Sequence, residues 1–133
     1  MSFTEAAIRH YRDGQSLFEV SRFDNSDQLF GIATECALKS CLRSRCYIDG
    51  ELDRKFLVHI NELWEKIAIH IDPKAFPNVI QLLNSSSKPF NDWNVAQRYE
   101  ATGFVASVVC ENHKRWSARI IGATGLLGTR SNS

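Results

Sequence analysis

Apolar side chains recur along this chain every three or four positions, and nowhere do they alternate with polar ones over four to eight residues. The first spacing belongs to helices and the second to strands, so the pattern predicts an all-α fold. Ala7, Tyr11 and Phe18, flanked by Ile8 and Leu17, line one face of a first helix expected over about residues 5–20. Thr4 is its expected N-cap. Gly14 inside it weakens an isolated helix by about 1 kcal/mol relative to alanine, and leaves room for a close neighbour. After a turn at 21–25, Asp24 or Ser26 stands where it can cap a second helix reaching about residue 42. There Leu29, Phe30, Ile32, Ala33, Cys36, Ala37, Leu38 and Cys41 wrap far around the cylinder. Such a helix needs neighbours on several sides, which predicts that it is central.

A connection with an Asp49-Gly50 turn follows, and a third helix is expected over about 52–71. Its face reads Phe56, Ile60, Leu63, Ile67 and Ile71. Asp72-Pro73 ends it, because proline cannot continue the hydrogen-bond ladder and disfavours helix in the residue before it. A short helix within 73–83 and a polar loop over 84–91 come next. Asp92 or Asn94 then caps a long helix expected over about 95–118, with Tyr99, Val105, Val109 and Trp116 as buried candidates and Gly103 as a close-packing point. The expected architecture is an antiparallel four-helix bundle with short extra helices. Residues 1–122 form one domain, and the Gly- and Ser-rich segment 123–133 reads as a flexible tail.

At 133 residues the chain can bury one core. Its 16 basic and 15 acidic side chains give a net charge of +1, which argues against a strong non-specific grip on nucleic acid or an anionic membrane. No stretch of about 18 apolar residues exists to span a membrane. The N-terminus has neither the basic start nor the apolar run of a signal peptide, and a cytoplasmic location is expected. Cys36, Cys41 and Cys46 are five residues apart, about 140° around a helix, so they do not share a face. Without a C-x-x-C pair, buried reduced thiols are expected and no metal site.

Two stretches carry candidate chemistry. Glu35 and Lys39 stand one helical turn apart with the acid first, the favourable order. Their apolar surroundings favour burial, and a buried carboxylate needs a partner, for which Arg98 is the distant candidate. Trp93, Arg98 and Tyr99 combine flat apolar bodies with polar tips, suited to stacking on a base and pairing with a phosphate. The bland alternative plugs Trp93 into the bundle end and packs Tyr99 in the core. Arg54 and His59 are the catalytic candidates. A histidine can move a proton and an arginine can stabilise charge on a reacting phosphate, which together cleave RNA without metal. His113-Lys114-Arg115 and Arg9-His10-Arg12 are small basic clusters, read as solvated helix surface. No Gly-rich phosphate loop, H-E-x-x-H or G-x-S-x-G occurs, and no cofactor is expected.

Several stretches together resemble the HEPN domain, a helical module of prokaryotic toxin–antitoxin and defence systems. These are Arg9-His10-Tyr11-Arg12-Asp13, Gly31-Ile32-Ala33-Thr34-Glu35-Cys36-Ala37-Leu38-Lys39, His59-Ile60-Asn61-Glu62-Leu63-Trp64, and the W-x-x-x-x-R-Y run from Trp93 to Tyr99. The resemblance covers about residues 4–120. It implies a helical bundle, a homodimer, and a nucleotidyltransferase-type protein partner. Active members cleave RNA without metal, through an Arg and a His separated by four to six residues on the last long helix. In this chain Arg54 and His59 have that spacing but fall in the expected third helix. The expectation is a binding module for a nucleotide, RNA or protein partner, using Glu35, Lys39, Trp93, Arg98 and Tyr99. A metal-independent RNase with His59 and Arg54 is the alternative, and a dimerisation scaffold a further one.

Overall fold

Three residues separate the first two helices, too few for anything but a tight reversal. In the computed structural model, which describes residues 2–126, α1 (Phe3–Glu19) and α2 (Phe23–Lys39) form an antiparallel helical hairpin. Ser21 makes the turn with φ 61°, the left-handed region that L-residues seldom occupy. Ser2, not Thr4, caps α1, its hydroxyl accepting from the Glu5 amide. Gly14 is a close-packing point as expected: a Cβ there would lie 2.8 Å from Cε1 of Phe30.

Among the described residues the fold is all-α apart from a hairpin of two-residue strands, β1 (Tyr47–Ile48) with β2 (Glu51–Leu52), pairing Tyr47 with Leu52, and an isolated antiparallel bridge between Leu42 and Ile71. Asp49 and Gly50 both take positive φ, as a two-residue hairpin turn requires. Two short helices, α3 (Ile60–Lys66) and α4 (Pro77–Leu83), precede the last long one, α5 (Ser107–Thr124). Helix α2 is central. Nearly every residue from Ser26 to Lys39 is buried, under α1, α3, α5 and a 3₁₀ turn at Val95–Tyr99. Contacts from α2 to the loop entering α5 and then to α5 itself advance in the same sense, Asp24 to Val105, Ser26 to Cys110 and Asp27 to His113, so these two helices run side by side in parallel.

Two of the expected long helices are divided. The apolar row Phe56, Ile60, Leu63, Ile67, Ile71 is buried throughout. Its backbone, however, passes from a 3₁₀ turn (Arg54–Phe56) through α3 into another 3₁₀ turn (Ala68–His70). Spacings of three and four show which side chains turn inward, and the intervals of four from Phe56 to Ile60 and from Ile67 to Ile71 are bridged here by non-α backbone, so burial was readable from the spacing and continuity was not. The expected 95–118 helix is a 3₁₀ turn, a loop over 100–106, and α5. Both oxygens of Asp24 accept from loop amides, Gly103 at 2.7 Å and Val105 at 2.9 Å, and hold those donors away from a helical ladder. Gly103 sits at φ 92° with open space around it, a turn residue rather than a packing point. Asp24 thus caps this loop, while Arg22 precedes α2 and Ser26 is buried, donating to the Gly14 carbonyl. Helix α5 runs past the expected domain end at 122 to Thr124 and closes on Gly125 in the left-handed region; the remainder of the expected tail, 127–133, lies outside the described residues.

Candidate functional site

Glu35 and Lys39 project from one face of α2, and both are buried. Lys39 Nζ donates to Glu35 Oε2 at 3.0 Å, and its ammonium stands 6.0 Å from the Phe3 ring centroid. The other carboxylate oxygen, Oε1, lies 3.0 Å from Nδ1 of His59, which occupies the N-cap position of α3 without a side-chain capping bond. The expected partner of Glu35 was Arg98; its partners are Lys39 and His59, because α3 rather than the 95–99 turn passes over this part of α2. The His59 side chain is 49% exposed, so a buried carboxylate orients a half-exposed imidazole. Arg54 is exposed in its 3₁₀ turn and enters no ion pair or side-chain hydrogen bond among the described residues. His10, on α1, is pushed below the ordinary histidine value, first by burial and then by Arg9.

Trp93 is 1% exposed. Its indole N–H donates to the Asp27 carbonyl at 2.9 Å, and its ring fills the notch left by Gly31, where a Cβ would overlap the indole. It therefore plugs the bundle and offers no ring face to a ligand. Trp93 is still a neighbour of His59, with ring centroids 6.3 Å apart.

Arg98 and Tyr99 stand apart from that seam. Asn94 caps their 3₁₀ turn through a reciprocal pair, its side chain accepting from the Ala96 amide while Gln97 Oε1 accepts from the Asn94 amide. Tyr99, expected in the core, is 78% exposed, and the Arg98 guanidinium rests 4.9 Å from its ring centroid. Arg98 lines a cleft of about 410 Å³ between the start of α2 and the 97–105 loop. Arg22, Asp24, Gln97, Glu100 and Gly103 share its walls. Neither Arg22 nor Arg98 forms an ion pair among the described residues, and the Asp24 carboxylate is taken up by the two loop amides.

A further cluster escaped the sequence reading. His113, expected on a solvated helix end, is fully buried. Its Nδ1 lies 2.6 Å from Asp27 Oδ1, and its Nε2 lies 2.7 Å from Asp92 Oδ1. Phe90 stacks on the ring at 5.0 Å and 16°, and Gln97 donates to Asp27 Oδ2 at 2.6 Å. Burial opposes the charged imidazole, but the two carboxylates outweigh it and raise its pKa above the ordinary value. The signal was present: Cys110, His113, Ser117, Ile120 and Ile121 follow the three- and four-residue spacing of the buried face of α5. The adjacent Lys114 and Arg115 obscured it by suggesting a basic patch.

All four cysteines are buried and unpaired, and burial pushes the thiols of Cys36, Cys41 and Cys110 up to about 11, which leaves them unreactive near neutrality. Among the described residues no set of three or more His, Cys, Asp or Glu side chains is placed to hold a metal ion, and no helix is long and apolar enough to cross a membrane.

In comparisons with known proteins, no family model matches the chain, and neither a curated protein nor a solved structure matches it.

Proposed function

We propose that this chain is a HEPN-like helical module of a cytoplasmic defence or toxin–antitoxin system that binds a nucleotide or the end of an RNA strand. The observation that carries this reading is the cleft beside α2, where Arg22 and Arg98 line one space without a carboxylate partner and Tyr99 lies exposed against Arg98. A guanidinium pairs with phosphate through its fixed fork of donors, and an exposed phenol ring stacks on a base. Two arginines, with Glu100 on the same wall, suit one or two phosphates rather than a long polyanion, in keeping with a net charge of +1. Isothermal titration with ADP and with the dinucleotide ApA tests it. Binding weakened about tenfold or more in both Arg98→Ala and Tyr99→Ala is expected. No heat with either ligand, or binding indifferent to both substitutions, overturns it. The HEPN resemblance also implies a homodimer, which sedimentation of the same protein tests.

The Glu35–His59 pair favours a second reading, a metal-independent RNase. A buried acid that orients a half-exposed imidazole is an arrangement suited to proton transfer. Incubation of total RNA with the purified protein in a chelating buffer decides between the two. Cleavage abolished by His59→Ala, with the helical signal intact, would establish the nuclease.

A further inference from the structure

The wall of the cleft that carries Arg98 is fastened to the bundle in part by one buried histidine. From Asp92 to Tyr99 the chain makes four side-chain ties to α2 and α5. Trp93 donates to the Asp27 carbonyl, Gln28 donates to the Asn94 carbonyl at 2.9 Å, Gln97 donates to the Asp27 carboxylate, and Asp92 meets His113. Only the last depends on the protonation state of an imidazole.

The proton count follows from the distances. Both ring nitrogens of His113 lie within 2.7 Å of carboxylate oxygens, and two hydrogen bonds among two acids and one imidazole require two protons. With one proton fewer, a nitrogen lone pair faces a carboxylate oxygen, and one contact must open. Asp92 is 60% exposed and water can replace its partner, whereas Asp27 is 1% exposed and also holds Gln97. The Asp92 end is therefore the one released.

We infer that His113 is a proton-operated clasp: doubly protonated, it supplies one of the four ties that hold residues 92–99 and Arg98 against the bundle, and on losing a proton it releases the Asp92 end, loosens that segment and weakens phosphate binding in the cleft. The inference about affinity rests on the function proposed above; the inference about the clasp does not. Charge reaches the ring from Asp27 on α2 and from Asp92 in the preceding loop. Its own helix presents the Cys110 thiol and the Ser117 hydroxyl one turn to either side, and α1, α3 and α4 bring no charged group to it.

The test reads the two parts separately in the full chain. Amide hydrogen exchange of residues 92–99, without ligand, is followed from about pH 6 to about pH 9 after correction for the intrinsic rate. The affinity for ApA, whose phosphodiester keeps its charge over that range, is followed in parallel. Protection of 92–99 is expected to fall as pH rises, and ApA binding to weaken about three- to tenfold with it. In Asp92→Asn the amide donates to the neutral ring, so protection persists at the alkaline end. That variant changes an exposed side chain and leaves Asp27 untouched, which guards against simple loss of the fold. Protection that is flat with pH, or that falls identically in Asp92→Asn, overturns the clasp. Protection that behaves as expected while ApA fails to bind at any pH overturns the cleft reading and leaves the clasp standing.

Discussion

Gly31 and Trp93 are sixty-two positions apart in the chain and share one volume. The indole occupies the space where any other residue would place its Cβ, so Gly31→Ala must either expel Trp93 or bend α2. Overpacking a rigid core costs about 1–3 kcal/mol and more where no atom can give way, and here the lost N–H bond to the Asp27 carbonyl adds to it. Urea denaturation of Gly31→Ala should show a midpoint well below that of the parent, with the summed emission of Trp64, Trp93 and Trp116 altered in the native baseline. Glu35 and Lys39 behave differently because they are a pair. Glu35→Ala strands the Lys39 ammonium in a buried position, a loss of about 3–5 kcal/mol. Adding Lys39→Met to that variant removes the stranded charge and should recover most of the loss, as read from the same midpoints. An Lys39→Met change with no such compensation in the double variant would mean that the buried pair is not coupled.

Between elements, Asp24 decides where the last helix begins. Its carboxylate sits in the first turn of α2, where negative charge is favoured, and accepts from Gly103 and Val105 across the cleft. Asp24→Ala should release the 100–106 loop at a cost of about 1–3 kcal/mol. Exchange of the Gly103 and Val105 amides should then rise to near the rate of a free loop while α1 keeps its protection. Unchanged protection at those two amides would show that the loop holds itself. Helix α3 is anchored in another way, by Trp64, which packs edge-on against Trp116 of α5 at 5.8 Å and beside Phe90. That aromatic row lies under Phe90 and thus supports the ring that stacks on His113.

Across the whole molecule, the Asp27–His113–Asp92 group joins the central helix, the last helix and the loop between them, and it makes folding sensitive to pH. The folded pKa of His113 is raised and its unfolded value is about 6.5. The protein gains stability from it in full below about pH 6.5, and loses that gain as pH climbs through the folded value. Thermal unfolding temperatures should therefore fall between about pH 6.5 and the alkaline side, and this decline should be flattened in His113→Gln. A parent whose melting temperature rises over that interval would contradict the assignment of both ring protons. Arg98→Ala, by contrast, alters an exposed side chain at the cleft and should leave the melting temperature within about 1 °C while reducing ligand binding.

The helical class, the central place of the second helix, the burial of the Phe56-to-Ile71 row and the partnership of Glu35 with Lys39 were all legible in the chain itself. Each depends on spacings of three or four residues, and a helix converts such spacings into a face whatever lies opposite. Tertiary structure alone decided the rest. Whether Glu35 meets His59 or Arg98, whether Trp93 is plug or platform, and whether His113 is buried all depend on which elements cross α2 at which height. That choice is made by long-range contacts such as Asp24 with Gly103 and Trp93 with Gly31, whose partners carry no mark of one another in a linear sequence. A carboxylate that can cap its own helix or seize a distant loop looks the same in both roles until the chain is packed.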